Sequence, residues 1–230
     1  PVPPLNLIGD FGGGGMLLAL GIVSALLETK SSGEGQVIDA AMTDGSSLLM
    51  TMMYSMQQSG FWNLERQTNL LDGAAHFYDT YECKDGKYIS IGSIEPQFYD
   101  LLCEKAELSP DQFGDQMKRD AWKEKKDLIS KVFLTKSRDE WCDLMEGTDV
   151  CFAPVLDMSE APRHPHNIAR KTFIELEGVT QPAPAPRFNR TENEVSLPPA
   201  LAGEHSKEIL ESLGLNEEES RSLLESGAVA

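Results

Sequence analysis

Asn6-Leu7-Ile8-Gly9-Asp10-Phe11-Gly12-Gly13-Gly14-Gly15 runs directly into an apolar stretch, Met16 to Leu27. A carboxylate, a glycine run and then unbroken apolar sequence predict a helix opened by Gly12–Gly15, with Asp10 just before its N-terminus. Free backbone N–H groups and the positive end of the helix dipole gather there. Asp10 in that place can cap the helix, and the same N–H groups can stabilise a negative oxygen on a substrate. Four glycines allow close approach of another chain or a ligand, or simply serve packing. No Gly-Lys-Ser/Thr follows, which excludes a Walker phosphate loop. The apolar run falls well short of the ~20 residues a bilayer requires. Bracketed by Asp10 and Glu28, it reads as a helix buried on most faces of a soluble protein.

Downstream, Ser31 to Gly35 predict a turn, Gln36 to Asp39 a short strand, and residues 40–58 a helical stretch. Five of the nine methionines (Met42, Met50, Met52, Met53 and Met56) lie in that stretch, the composition of a large, adaptable buried surface. Residues 59–79 hold Gly60, Asn63, Asn69, Asp72 and Gly73 and read as a connector. Phe77–Glu82 and Tyr88–Ile91 alternate as strands do, and Asp85-Gly86 between them is a hairpin signal. Residues 96–145 read as amphipathic helices and Val150–Leu156 as a closing strand. Prolines at 182, 184, 186, 198 and 199 predict an extended linker. Two short helical patterns end the chain, separated by Gly214, with Asn216 placed to cap the second.

The chain has 230 residues, 40% apolar and 25% charged, ordinary values for a globular protein. A formal net charge of -17 repels phosphate backbones and argues against broad nucleic-acid binding, though not against a local basic pocket for a phosphorylated ligand. Cys83, Cys103, Cys142 and Cys151 form no CxxC pair and read as reduced, packed thiols. Pro1-Val2-Pro3-Pro4 lacks the features of a secretory signal, and Ala228-Val229-Ala230 is not a Ser-Lys-Leu address.

Other candidate chemistry is sparser. Glu95 follows a strand in Ile91-Gly92-Ser93-Ile94-Glu95-Pro96-Gln97-Phe98-Tyr99, and Pro96 suits the first position of a helix. A carboxylate there can reach into a cleft or simply favour the helix dipole. His164-Pro165-His166 has no supporting acid or cysteine at ligand spacing, so no metal site is expected. His76, beside aromatics, reads as packed and hydrogen-bonded. Lys118–Arg138 holds eight basic residues and reads as a solvated helical face, with nucleotide phosphates as the other possible contact. GxSxG, HExxH and Rossmann glycine fingerprints do not occur.

Taken together, Pro4–Gly14 and Gly33–Asp39 resemble the family III CoA-transferases. Leu71-Asp72-Gly73, Phe77-Tyr78, Ile94-Glu95-Pro96-Gln97-Phe98-Tyr99, Trp141-Cys142, Gly147-Thr148-Asp149 and Gly203-Glu204-His205 resemble their α-methylacyl-CoA racemase branch, the Ile94–Tyr99 motif being the most specific part. The resemblance implies an α/β fold: an incomplete Rossmann-like large domain and a smaller α/β domain, joined by long linkers, in interlocked dimers. Residues 1–58 and 201–230 would belong to the large domain, 80–165 to the small one, with linkers at 59–79 and 166–200.

The resemblance also implies a chemistry: the α-proton of a 2-methylacyl-CoA is removed and returned on the other face, in branched-chain fatty acid or bile acid metabolism. Asp10 matches the family's aspartate base, Glu95 a glutamate that partners its histidine, and Asn6, Gly12 and Gly13 would line the substrate. The histidine would lie upstream of Pro1, so these residues alone are expected to be inactive. A mitochondrial or peroxisomal setting is implied, or the cytoplasm in a bacterium. Neither a metal, an added cofactor nor a membrane is expected, since CoA arrives with the substrate. The other chemistry in the family is CoA transfer with Asp10 as nucleophile.

Overall fold

The computed structural model describes residues 3–195 and 197–229. The readings that rest on Pro1, Val2 and Ala230 fall outside them. By internal contacts the chain divides into two compact units, one running to Val155 and one from Leu156.

The first unit opens on a continuous helix, Leu7–Ser32. Its first part, Leu7–Met16, is wound as a π-helix, and Leu17–Ser32 is α1. After the non-helical residues 33–41 come helix α2 (Met42–Leu49) and helix α3 (Thr51–Gln58), with Met50 alone between them. This corrects the expected start. The helix begins at Leu7, after Leu5 in the left-handed region (φ 55°), so Asp10 and all four glycines lie inside it. The wide π turn closes with Phe11 N–H donating to the Asn6 carbonyl, 3.1 Å.

The glycines admit a neighbouring helix. A Cβ on Gly13 would stand 2.7 Å from the Ser46 nitrogen, and one on Gly45 would stand 1.9 Å from the Gly13 carbonyl oxygen. Two helix backbones can cross this closely only where both lack side chains.

Two further expectations are corrected here. No residue of α1 is buried, and Leu20, Val23 and Leu27, which share one face, are each at least 60% exposed. The helix is also longer than its apolar run: 26 residues long, with an 18-residue stretch of mean hydropathy 1.6, it is long and apolar enough, by length and composition, to cross a membrane. Gln36–Asp39 form no strand; Val37 is 95% exposed, and a strand exists only where another backbone accepts its hydrogen bonds.

The rest of the first unit is an antiparallel sheet in the order β1 (Tyr78–Glu82), β2 (Tyr88–Gly92), β3 (Phe152–Val155). The hairpin expected at Asp85-Gly86 forms, with Gly86 at φ +75°. Between β2 and β3 run α4 (Pro96–Lys105), α5 (Pro110–Phe113), α6 (Trp122–Phe133) and α7 (Arg138–Met145). Tyr81, Ile89 and Ile91 point from one sheet face into a core with Phe77, Leu102, Ile129, Phe133 and Trp141. Helix α6 buries Trp122, Lys125, Ile129 and Phe133 along one stripe. A capping box between Ser137 and Glu140 starts α7, and the Trp141 indole donates to the Phe133 carbonyl at 2.9 Å.

The basic stretch is not merely a solvated face. Lys125 and Arg138 are buried, Lys126 pairs with Asp79, and Arg119 donates to the Phe61 carbonyl at 2.9 Å.

In the second unit, α8 (Pro165–Arg170) precedes a hairpin of β4 (Phe173–Leu176) and β5 (Val179–Pro182). The proline-rich reading missed this hairpin. Its two-residue turn is Glu177-Gly178, both at positive φ, and Pro182 sits at the strand's end. Helix α9 (Ser206–Ser212) and helix α10 (Glu217–Glu225) end the unit, the latter capped by Asn216 as its sequence predicts.

Candidate functional site

Glu95 stands where β2 gives way to α4. The strand ends at Gly92, Pro96 occupies the first helical turn, and Glu95 between them keeps extended angles (φ -70°, ψ 142°). Its carbonyl accepts from Phe98 and Tyr99 N–H groups at 3.1 and 3.0 Å. The residues just before it are equally fixed. Ser93 donates its amide to the Phe77 carbonyl (3.0 Å) and its buried hydroxyl to the Val150 carbonyl (2.5 Å). The Glu95 backbone is therefore anchored on both sides, while its exposed carboxylate has no hydrogen bond or ion pair among the described residues. A carboxylate on a rigid backbone with no internal partner is free to engage an outside group.

The sheet face away from the core is open beside it. Thr80, Ser90 and Ala153 lie side by side across the strands, next to Tyr78, Gly92 and Cys151. With Gln67 and Leu71–Gly73 they line a cleft of about 630 Å³. The 63–72 loop that walls it is built on Asn69, which is 1% exposed. Its side chain accepts from Asn63 N–H (2.7 Å) and donates to Asp72 (2.7 Å), while its backbone N–H also donates to Asp72 (2.8 Å). The backbone leading to Glu95 reaches this cleft at Gly92, whose N–H donates to the Cys151 carbonyl at 2.9 Å. The Cys151 thiol pKa is raised by partial desolvation and then by the Glu95 and Asp149 carboxylates. Reading the residues as a connector gave no sign of this wall, although Asn69 and Asp72 mark it in the sequence.

Asp10, Asn6 and Gly12 lie together at the start of the long helix. Asp10 is exposed in its first turn and Asn6 occupies the capping position without a side-chain cap bond. A Cβ on Gly12 would touch the Leu7 carbonyl oxygen and the Leu49 side chain, and Gly13 is buried against α2. The approach that Gly13 permits in this chain is therefore that of α2. No hydrogen bond or ion pair joins Asp10 to Glu95 among the described residues.

His76, by contrast, is fully buried inside the small core. Its Nε2 is 2.7 Å from the Tyr99 hydroxyl, which donates to the Phe113 carbonyl at 2.9 Å. The single Tyr99 proton goes to Phe113, so Nε2 carries the hydrogen of this contact. Burial, and then Lys125, lower the His76 pKa to about 3. It is a neutral core histidine.

A sheet with helices on one face, an exposed carboxylate pinned at a strand end and a second exposed carboxylate in a glycine-rich helix start describe an α/β protein with two separate acidic candidates. The family model for CoA-transferase family III matches residues 1–206, and the chain belongs to that family. It is 43% identical over 224 residues to the α-methylacyl-CoA racemase of Mus musculus and 42% identical over 221 residues to that of Homo sapiens. Each match covers 95% of this chain and 58% of the relative, so the chain spans little more than half their length. A succinyl-CoA–D-citramalate CoA-transferase of Chloroflexus aurantiacus is 28% identical over 212 residues, 87% of this chain and 52% of that one. Among solved structures, a CAIB/BAIF family protein from Brucella suis superposes with a TM-score of 0.72 at 19% identity. That match covers 93% of this chain and 57% of that one, and it establishes the family III fold.

Proposed function

We propose that this chain supplies the carboxylate side of the active site of an enzyme that epimerises 2-methylacyl-CoA thioesters. What carries the reading is the 43% identity, over 95% of the chain, to a protein named for that activity. The chemistry needs two groups on opposite faces of a planar enolate, because one base cannot reach both. Asp10 takes or returns the α-proton on one face. A histidine, which the family places upstream of these residues, serves the other, and Glu95 sets its tautomer and charge. Asp10 sits in a first helical turn, where the dipole favours negative charge, and that placement suits an enolate oxygen nearby. CoA is part of the substrate, and the steps require no metal or redox cofactor.

The same reading gives the enzyme an interlocked homodimer, a role in branched-chain fatty acid or bile acid metabolism, and a mitochondrial or peroxisomal setting. It assigns no nucleic-acid or membrane partner. The exposed apolar helix supports a larger assembly, since soluble chains seldom leave such a surface uncovered.

The test is α-proton exchange. An (S)-2-methylacyl-CoA is incubated in D₂O with the longest chain the gene encodes. Deuterium uptake with loss of configuration is expected. Transfer of CoA to an added free acid, without α-exchange, would overturn the reading in favour of CoA transfer by an Asp10 acyl anhydride, the chemistry suggested by the Chloroflexus relative.

A further inference from the structure

We infer that Gln116 is a positioning residue for Glu95, acting through the backbone of the turn that carries it. Gln116 Nε2 donates to the Ser93 carbonyl and to the Ile94 carbonyl, each at 2.9 Å. These are the two peptide carbonyls immediately before Glu95. Both contacts are to carbonyl oxygens, so the amide orientation is settled: only the NH₂ end can face them, and its two hydrogens meet two acceptors.

The turn needs this help for a definite reason. Ser93 and Ile94 lie beyond the last ladder pair of β2, and the Pro96 nitrogen carries no hydrogen. Ser93 is held by its own amide and hydroxyl, but among the described residues the hydrogen bonds to the two peptide planes that follow it are the Ile94 N–H to Gly92 carbonyl contact at 2.9 Å and the Gln116 fork. Removing the fork leaves two carbonyls to seek water, and each peptide plane that rotates swings the Glu95 Cα–Cβ direction with it.

Gln116 is itself held. The Trp122 indole donates to its carbonyl at 2.8 Å, and the buried Lys125 ammonium donates to the neighbouring Asp115 carbonyl. Trp122 and Lys125 stand on the buried stripe of α6, so the chain of contacts runs from the core, through residues 115–116, to residues 93–94 and Glu95. A displacement of about 1 Å in a catalytic group can cost ~10²-fold in rate. This is the scale on which such a brace matters.

The inference rests on the catalytic reading of Glu95, and a double-mutant cycle separates the two. Exchange in D₂O is measured for the longest encoded chain with Gln116→Met, Glu95→Gln and both substitutions. Met keeps the length of Gln and removes both donors. Gln116→Met is expected to lower kcat for exchange about tenfold or more, with KM within about twofold. In the Glu95→Gln background it is expected to add less than about a twofold loss, because the group being positioned is already disabled.

A loss of equal size in both backgrounds means a general structural role and overturns the inference. So does an unchanged kcat for Gln116→Met when Glu95→Gln is impaired, and the Glu95 reading then survives. Full exchange in Glu95→Gln overturns both. Should Gln116→Met fail to fold, Gln116→Asn keeps the polarity and draws the donor back by one methylene. It is held to the same coupling.

Discussion

The Tyr99 hydroxyl stands 2.7 Å from Nε2 of the fully buried His76 and donates its own hydrogen bond to the Phe113 carbonyl, 2.9 Å away. This three-membered relay ties the segment before β1 to α4 and α5 in the small core. Tyr99→Phe removes the acceptor of the Nε2–H and leaves a buried donor unpaired. It is expected to cost about 1–3 kcal/mol, read by urea unfolding with tryptophan fluorescence, since Trp122 and Trp141 lie in the same core. An unchanged midpoint would show that the relay contributes nothing.

The same histidine gives the fold a pH dependence. Its folded pKa is about 3, against 6.5 for a free histidine. Between those values the unfolded chain binds the proton and the folded chain does not. The contribution is full above pH 6.5 and is lost as pH falls toward 3, with a slope of up to ~1.4 kcal/mol per pH unit. His76→Gln is expected to flatten the stability profile over pH 4–6 relative to the parent chain. Parallel profiles would contradict it.

Gly9 and Gly45 respond oppositely to a methyl group. Nothing lies within 4 Å of a Cβ on Gly9, whereas a Cβ on Gly45 would collide with the Gly13 carbonyl at 1.9 Å. Gly9→Ala should stabilise the helix by about 0.5–1 kcal/mol. Gly45→Ala should lower the melting temperature by forcing α2 away from the π-helical turn. Melting followed by circular dichroism compares the two, and equal effects would refute the close crossing.

The exposed face of α1 makes the isolated 230-residue chain prone to association. Leu20, Val23 and Leu27 are 60%, 66% and 68% exposed. Light scattering should report a particle size that grows with protein concentration, and Val23→Lys with Leu27→Lys should reduce that growth. A monomer at all concentrations would speak against the prediction.

Asp10→Asn keeps the size of the side chain and removes its basicity. In the longest encoded chain it is expected to slow deuterium exchange by about 10²–10⁴-fold, the usual worth of a general base, with thermal stability little changed. Exchange at the parent rate would remove Asp10 from the chemistry.

The sequence by itself determined the local structure around the three-stranded sheet, the start of the last helix, and the family. Strand alternation and Asp85-Gly86 marked the β1–β2 hairpin, apolar spacing showed that residues 96–145 are helical without placing each helix, and Asn216 marked the start of α10. These signals are local, because each depends on residues a few positions apart.

What the sequence left open depends on partners distant along the chain. The glycine run gave the wrong helix start, since its closeness to α2 is set by Gly45, thirty residues on. Gln36–Asp39 have the composition of a strand but no neighbour to pair with. Gln116 showed no sign of its role, because a side-chain amide acquires one only when the fold brings two unsatisfied carbonyls to it. Hydrogen bonds and close contacts are satisfied in space, and tertiary structure alone decides which groups meet.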